Sequence, residues 1–232
     1  MITVRRAAER GKTDWGWLDS RHTFSFGNYH DARFEGFRSL RVLNDDRVQG
    51  GAGFGTHGHR DMEILSYVLE GALEHKDSSG GGGVIRPGEI QFMRAGTGVT
   101  HSEANASKTE PVHFLQIWIV PDARGLAPAY DQKKVDEATA RSGFALVASR
   151  DGREGSVQVH QDVDLLVVKL GPGGARTRPL DPSRHAFVHL AQGDAAVNGE
   201  LLAAGDGAFL EDTASLKIEG SSEAELLVFD LA

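Results

Sequence analysis

Two pairs of potential metal ligands recur at the same spacing in the first half of the chain. One residue separates His57 from His59, and one residue separates His101 from Glu103. Residues two apart on a β-strand point to the same face, so two such pairs on neighbouring strands would bring three imidazoles and a carboxylate together. These nitrogen and oxygen ligands bind divalent transition metals. The spacing therefore predicts a metal site built on β-strands.

The segments around both pairs are predicted to form short strands joined by glycine-rich turns. Apolar runs predict three of these strands, at 64–69, 90–93 and 112–120. The glycine and serine residues over 78–83 predict the tip of a hairpin, because no Gly-Lys-Ser/Thr sequence of a phosphate-binding loop follows them. The polar run 44–46 predicts a turn after a strand over 40–43. His22 and His30 have no partner at ligand spacing and are interpreted as ordinary polar residues.

Short β runs resume in the second half and predict a second β domain. The stretch 121–142 is polar, rich in alanine and without strand alternation, so it is interpreted as a connection with one short helix near 134–140. Turns such as Asn198-Gly199 then separate further short runs, a pattern typical of antiparallel sandwiches and barrels. We therefore expect an all-β chain with domains at 1–130 and 131–232.

Composition narrows the possible partners and cofactors. The chain has no cysteine, which excludes disulfides, thiolate metal sites and cysteine nucleophiles. Its net charge is −8, and no basic run is longer than two residues, so direct binding to nucleic acid is not favoured. A protein partner stays possible. The sequence shows neither an apolar signal core nor a membrane-spanning apolar run, so we expect no membrane partner and a cytoplasmic location.

The order of glycines, histidines and acids resembles the two sequence motifs of the cupin superfamily. The residues that carry them are, in order, Gly51, His57, His59, Glu63 and Gly71, then Gly88, Gly96, His101 and Asn105. Arg94 stands where cupins usually have proline, and four residues rather than two separate Gly96 from His101. The strings FGTHGHRDMEILSYVLEG and MRAGTGVTHSEAN are similar to the pirin family, and the similarity extends over essentially the whole chain.

The resemblance implies a bicupin fold, with two jelly-roll β-barrels and one metal ion in the N-terminal barrel. Carried over by motif, the metal ligands fall on His57, His59, His101 and Glu103, and Glu103 is also the candidate catalytic base. In a typical cupin Glu63 would be the fourth ligand, and strand parity does not separate the two glutamates. The pirin pattern selects Glu103 and leaves Glu63 to orient a ligand imidazole.

The C-terminal barrel is expected to hold no metal ion. Residues 171–180 contain no histidine where a His-x-His pair is expected. His185 and His189 are four residues apart and have no third ligand at matching spacing. The apolar residues Phe92, Met93, Trp118 and Ile119 are candidates for the pocket lining of the first barrel, and ordinary core packing is equally compatible with them.

Three functions are compatible with these residues. The similarity to bacterial pirins described as quercetin 2,3-dioxygenases implies a dioxygenase that opens a flavonol ring with O2. The cofactor implied is one divalent ion, Fe(II) by family resemblance, although Ni, Cu, Mn, Co and Zn also accept such ligands. Eukaryotic pirins imply the alternative, a co-regulator whose binding to a protein partner depends on the redox state of the metal. Another cupin reaction, such as isomerisation on a Lewis-acid metal, is the third possibility.

Overall fold

The computed structural model describes residues 1–232, and β-strands dominate it. The first twelve strands are β1 (Ile2–Arg5), β2 (Gly11–Asp14), β3 (Leu18–His22), β4 (Leu40–Val48), β5 (Gly53–His59), β6 (Glu63–Glu70), β7 (Leu73–Asp77), β8 (Gly82–Ile85), β9 (Glu89–Arg94), β10 (Val99–Asn105), β11 (Val112–Ile119) and β12 (Ala129–Lys134). The other ten are β13 (Ala145–Ser149), β14 (Val157–Gln158), β15 (Val163–Leu170), β16 (Ala175–Pro179), β17 (His185–Gln192), β18 (Asp194–Val197), β19 (Glu200–Ala203), β20 (Gly207–Leu210), β21 (Ser215–Gly220) and β22 (Ala224–Leu231).

The helices are short. One α-helix, α1, spans Glu137–Ser142, and two 3-10 helices span Ala7–Glu9 and Arg153–Gly155. None of them has the length and apolar character that are needed to cross a lipid bilayer. The cytoplasmic location stays a prediction.

The chain forms two compact units. The N-terminal unit comprises residues 11–134 and 159–161, and the C-terminal unit comprises residues 1–10, 135–158 and 162–232. This division differs from the continuous domains expected at 1–130 and 131–232. The first ten residues join the C-terminal unit because β1 pairs with β20, a long-range pairing that spacing along the chain does not indicate.

Strand β12 was missed in the stretch that we interpreted as a connection. It pairs with β9 at the edge of a sheet, and the boundary drawn at 130/131 falls inside it. All six of its residues are only partly buried or exposed. A strand at a sheet edge needs no strict apolar alternation, so its sequence AYDQKK carries little strand signal.

Each unit is built from two sheets, in which the strands are antiparallel except for the pair β13 and β14. In the N-terminal unit a seven-stranded sheet, β12-β9-β6-β11-β4-β3-β2, faces a four-stranded sheet, β5-β10-β7-β8. Leu18 and Phe114 from the larger sheet pack with Leu73 and Ile85 from the smaller one. The C-terminal unit repeats this arrangement, with the orders β1-β20-β17-β22-β15-β13-β14 and β16-β21-β18-β19. The all-β prediction of two jelly-roll barrels is confirmed.

A row of polar residues crosses the larger N-terminal sheet. The cross-strand partners in register are Gln91 (β9), Ser66 (β6), Gln116 (β11), Asn44 (β4) and His22 (β3). Directly opposed residues of antiparallel strands share a face. The row lies between two apolar clusters, since Ile64 belongs to one and Val68 to the other, two residues to either side of Ser66.

The predicted turn at 44–46 is wrong, because these polar residues lie inside a strand. Asn44, Asp45 and Asp46 are buried in the middle of β4, which continues to Val48. Other strands supply polar partners for two of these side chains, His22 for Asn44 and His113 for Asp45. Asparagine and aspartate favour turns when their side chains bond to the nearby backbone, whereas here other strands supply partners for Asn44 and Asp45.

Candidate metal centre

The two ligand pairs lie on β5 and β10, which are neighbours in the four-stranded sheet. His101 lies directly opposite His57, and the register shifts between His101 and Glu103. The ring centroids of His57, His59 and His101 form a triangle with sides of 4.8, 4.5 and 4.8 Å. Their ligand nitrogens lie within 4.8 Å of one another. The structure therefore brings the three predicted imidazoles to one point.

Hydrogen bonding directs the lone pair of His57 toward that point. The Nδ1 atom of His57 lies 2.8 Å from the carbonyl oxygen of Gly55, and a carbonyl only accepts. In the neutral ring, His57 therefore donates its Nδ1–H and has its lone pair on Nε2, which lies 3.1 Å from Nε2 of His101. Nitrogens that bind one ion at about 2.1 Å are about 3.0 Å apart at a right angle and about 3.4 Å apart at a tetrahedral angle. The observed separation fits a shared ion.

Burial keeps two of the three imidazoles neutral at physiological pH. Desolvation, helped by the neighbouring His57, lowers the pKa of His59 from 6.5 to about 4. Desolvation also lowers the pKa of His101 to about 3, with further contributions from His57, His59 and His75. Only neutral imidazole binds a metal, so an ion does not compete with protons for these rings near neutral pH.

Glu103 is buried beside His101, and two side chains of the polar row hold it. Its Oε1 accepts a 3.0 Å hydrogen bond from Ser66 Oγ, and its Oε2 accepts a 2.7 Å hydrogen bond from Gln116 Nε2. Its ligand oxygen forms a second compact group with His75 and His101, whose ligand atoms also lie within 4.8 Å of one another. The two groups share His101. Three imidazoles and a carboxylate are a donor set for one divalent ion.

Glu63 does not orient a ligand imidazole, so that prediction is wrong. Its side chain is fully buried, and both carboxylate oxygens lie 2.9 Å from the backbone nitrogen of His160. The carboxylate thus attaches the 159–161 segment to β6 within the N-terminal unit. Sequence spacing does not predict this contact, because His160 lies 97 residues away from Glu63.

Two histidines that the sequence analysis did not assign to the site lie at it. His75 and Asp77 have fully buried side chains and pair at 3.0 Å, next to His101. Their i,i+2 spacing, which repeats that of the two ligand pairs, was the available signal. His22 was interpreted as an ordinary polar residue, but it is buried, with Nδ1 2.8 Å from Asn44 Oδ1 and Nε2 2.8 Å from Thr13 Oγ1.

A cavity of about 280 Å³ opens on the metal centre. Its walls include the three imidazoles and Glu103, polar side chains and large aromatic rings: Thr13, Ser20, His22 and Asn44, and Trp15, Phe26, Phe54 and Trp118. Of the four candidates for the lining, Trp118 is part of the wall, whereas Phe92, Met93 and Ile119 are core residues outside it. A cavity that combines large aromatic rings with convergent polar groups is typical of a small-molecule site.

The C-terminal unit contains the two histidines that the sequence analysis considered. Both lie on β17, where His189 is buried and His185 Nδ1 lies 3.5 Å from Glu211 Oε1. That this unit holds no metal ion stays a prediction.

Comparison with known proteins identifies relatives over the full length. The Pirin family profile matches residues 3–119, and a profile for the quercetinase C-terminal cupin domain matches residues 146–231. The quercetin 2,3-dioxygenase of Escherichia coli is 46% identical over 231 residues, which cover 100% of this chain and 99% of that protein. The crystal structure of YhhW from Escherichia coli superposes with a TM-score of 0.96 at 46% identity, over 100% and 98% of the two chains. A nickel(II) complex of the same bacterial pirin gives a TM-score of 0.94 at 45% identity, over 100% and 99%.

Proposed function

The chain belongs to the pirin family, and from this premise we propose that it is a metal-dependent dioxygenase of the quercetin 2,3-dioxygenase type. Its substrates in this proposal are a flavonol and O2, and opening of the flavonol ring releases carbon monoxide. The observation that carries the proposal is a cavity whose walls contain aromatic rings, the three clustered imidazoles and the buried carboxylate of Glu103. Full-length similarity to a quercetin 2,3-dioxygenase supports it.

The proposed metal ligands are His57, His59, His101 and Glu103. Fe(II) is the ion that we propose, and Ni(II) is the first alternative because a related bacterial pirin binds nickel(II). When bound, such an ion would act as a template and Lewis acid for a phenolic oxygen and O2.

Glu103 is the proposed base for the flavonol 3-hydroxyl. Ser66 and Gln116 each donate to one of its oxygens and so fix the orientation of the carboxylate. A carboxylate has about four lone-pair positions, so acceptor capacity is left for a metal ion and for the proton of the substrate. The hydrogen-bonded side chains would then hold Glu103 in place as its charge changes.

The cavity walls match a flat polyhydroxylated aromatic ligand. Trp118 meets His59 edge to face at 4.9 Å and Phe26 edge to face at 5.4 Å, so an aromatic wall adjoins the metal centre. Aromatic rings favour such contacts with other rings. Asn44 and Thr13 on the polar wall offer hydrogen-bond partners for ring hydroxyls.

The proposal is tested by oxygen uptake with quercetin. The protein is purified without oxygen and reloaded separately with Fe(II), Ni(II), Cu(II) or Mn(II), and carbon monoxide is measured in parallel. We expect one ion to give rapid uptake with carbon monoxide release, and we expect His101→Ala to abolish both. His30→Ala, which changes an exposed histidine outside the cavity, is the matched control. Metal binding without uptake for any ion would overturn the proposal and favour a metal-dependent regulatory protein.

A further inference from the structure

His75 and Asp77 form a buried chain of polar contacts that ends on a proposed metal ligand. Both lie on β7, the neighbour of β10 on the side away from β5, and Asp77 is directly opposite His101. Asp77 Oδ2 lies 3.0 Å from His75 Nε2, and His75 Nδ1 lies 3.4 Å from His101 Nδ1. The side chains of His75 and Asp77 have no exposed surface.

The direction of these hydrogen bonds follows from the aspartate. Its Oδ1 accepts from Ser79 N at 2.8 Å, Ser79 Oγ at 2.6 Å and Gly81 N at 3.0 Å, which an ionised carboxylate favours. A carboxylate only accepts, so a neutral His75 must donate its Nε2–H to Oδ2 and have its lone pair on Nδ1. His101 must then donate its Nδ1–H to His75, which leaves the lone pair of His101 on Nε2.

We propose that Asp77 and His75 are positioning residues that set the tautomer of His101, with the Nε2 lone pair directed at the metal ion. This Nε2 atom is the one that faces His57 Nε2 at 3.1 Å. The proposal rests on His101 being a ligand, as the proposed function requires. His75 itself is not a ligand in this arrangement, because Asp77 occupies its Nε2 and the Nδ1–H of His101 occupies its Nδ1.

The glycine-rich hairpin tip is part of this arrangement. A Cβ atom on Gly81 would lie 2.3 Å from Asp77 Oδ2 and 2.7 Å from the Cβ of Tyr130, so a larger residue would displace the carboxylate. Tyr130 in turn stacks on His75, with ring centroids 5.3 Å apart. The His75 ring therefore lies between Tyr130 and His101. Through His75, the hairpin tip next to Asp77 contacts the proposed metal ligand His101.

Asp77→Asn is the informative variant, because it should invert both tautomers. The three donors at Oδ1 require an oxygen there, so the asparagine NH2 must face His75 Nε2. His75 would then accept at Nε2 and carry its hydrogen on Nδ1, and His101 would carry its hydrogen on Nε2, facing the metal position. We expect the affinity for Ni(II) or Zn(II), measured by chelator competition, to fall about 10- to 100-fold.

Nitrogen-15 spectra of the histidine rings in the metal-free protein report the tautomer without any turnover. We expect the Nδ1–H form of His101 in the wild type and the Nε2–H form in Asp77→Asn. Glu74→Gln, which removes one negative charge from the opposite face of β7, should change neither the tautomer nor the affinity. An unchanged tautomer in Asp77→Asn, or an affinity equal to that of Glu74→Gln, would overturn the proposal.

A second variant distinguishes the loss of these hydrogen bonds from a folding defect at the hairpin tip. His75→Phe retains a buried ring but removes both hydrogen bonds, and it should weaken metal binding on its own. If Asp77 acts through His75, adding Asp77→Asn to His75→Phe should cause no further loss. Additive losses would contradict the proposal. Retention of the metal by His101→Ala would instead show that the ligand assignment is wrong, which is a different failure.

Discussion

Replacement of Glu63 by glutamine is expected to remove a pH dependence from the stability of the N-terminal unit. Glu63 is fully buried, and both oxygens accept from the backbone N–H of His160. Desolvation raises its pKa from 4.5 to about 7, although the hydrogen bond from His160 and the charge of Arg94 oppose the change. The folded unit therefore binds a proton at Glu63 more tightly than the unfolded chain does.

The sign and size of the effect follow from this difference. A group whose pKa is raised by folding stabilises the protein fully below its unfolded pKa, and the stabilisation is lost as the pH rises through its folded pKa. The shift from 4.5 to about 7 corresponds to about 3 kcal/mol in the free energy of unfolding. Glutamine is neutral throughout, so Glu63→Gln should lack this decline between about pH 4.5 and about pH 7.

Tryptophan fluorescence can follow this unit selectively. All three tryptophans, Trp15, Trp17 and Trp118, lie in the N-terminal unit. Urea unfolding of the metal-free protein across this pH range gives the free energy of unfolding at each pH. Glu70→Gln, at the exposed end of the same strand, is the matched control and should decline with pH as the wild type does. An equal decline in Glu63→Gln and the wild type would refute the reasoning.

Two further substitutions test local packing. Gly53→Ala would place a Cβ atom 2.5 Å from the Cα of Ala104 on β10, so we expect it to lower the free energy of unfolding by about 1–3 kcal/mol and to weaken metal binding in chelator competition. Gly55→Ala, on the same strand with open space around it, should change neither. Asp136→Ala removes the side-chain cap that accepts from Thr139 N at 3.1 Å at the start of α1, so scanning calorimetry should show a lower melting temperature for the C-terminal unit.

The parts of the fold that could be predicted are those with local signals. Strand alternation placed the two ligand pairs on strands, and glycine-rich turns marked the hairpin between β7 and β8. The long strand β4 could not be predicted in full, because Asn44 and its two acidic neighbours carry a turn signal in isolation. Their partners come from strands that are distant in sequence, and spacing along the chain contains no information about them.

Local sequence signals likewise predicted only part of the candidate metal site. The three clustered imidazoles follow from a period of two residues, which is a local property. His75 and His22 join the site through pairings of β7 with β10 and of β3 with β4, which become visible only when the sheet order is known. Glu63 shares the spacing signal of a ligand, yet its carboxylate binds a backbone N–H from a segment 97 residues away.

X-ray absorption of the nickel-loaded protein tests the central claim most directly, because it counts the imidazoles on the ion. We predict three imidazoles in the wild type and in His75→Phe, where the weakened site is saturated with nickel, and fewer in His57→Ala. The opposite pattern, with the imidazole count unchanged in His57→Ala and reduced in His75→Phe, would contradict the account. It would place the ion between His75, His101 and Glu103, the second group of ligand atoms in this barrel.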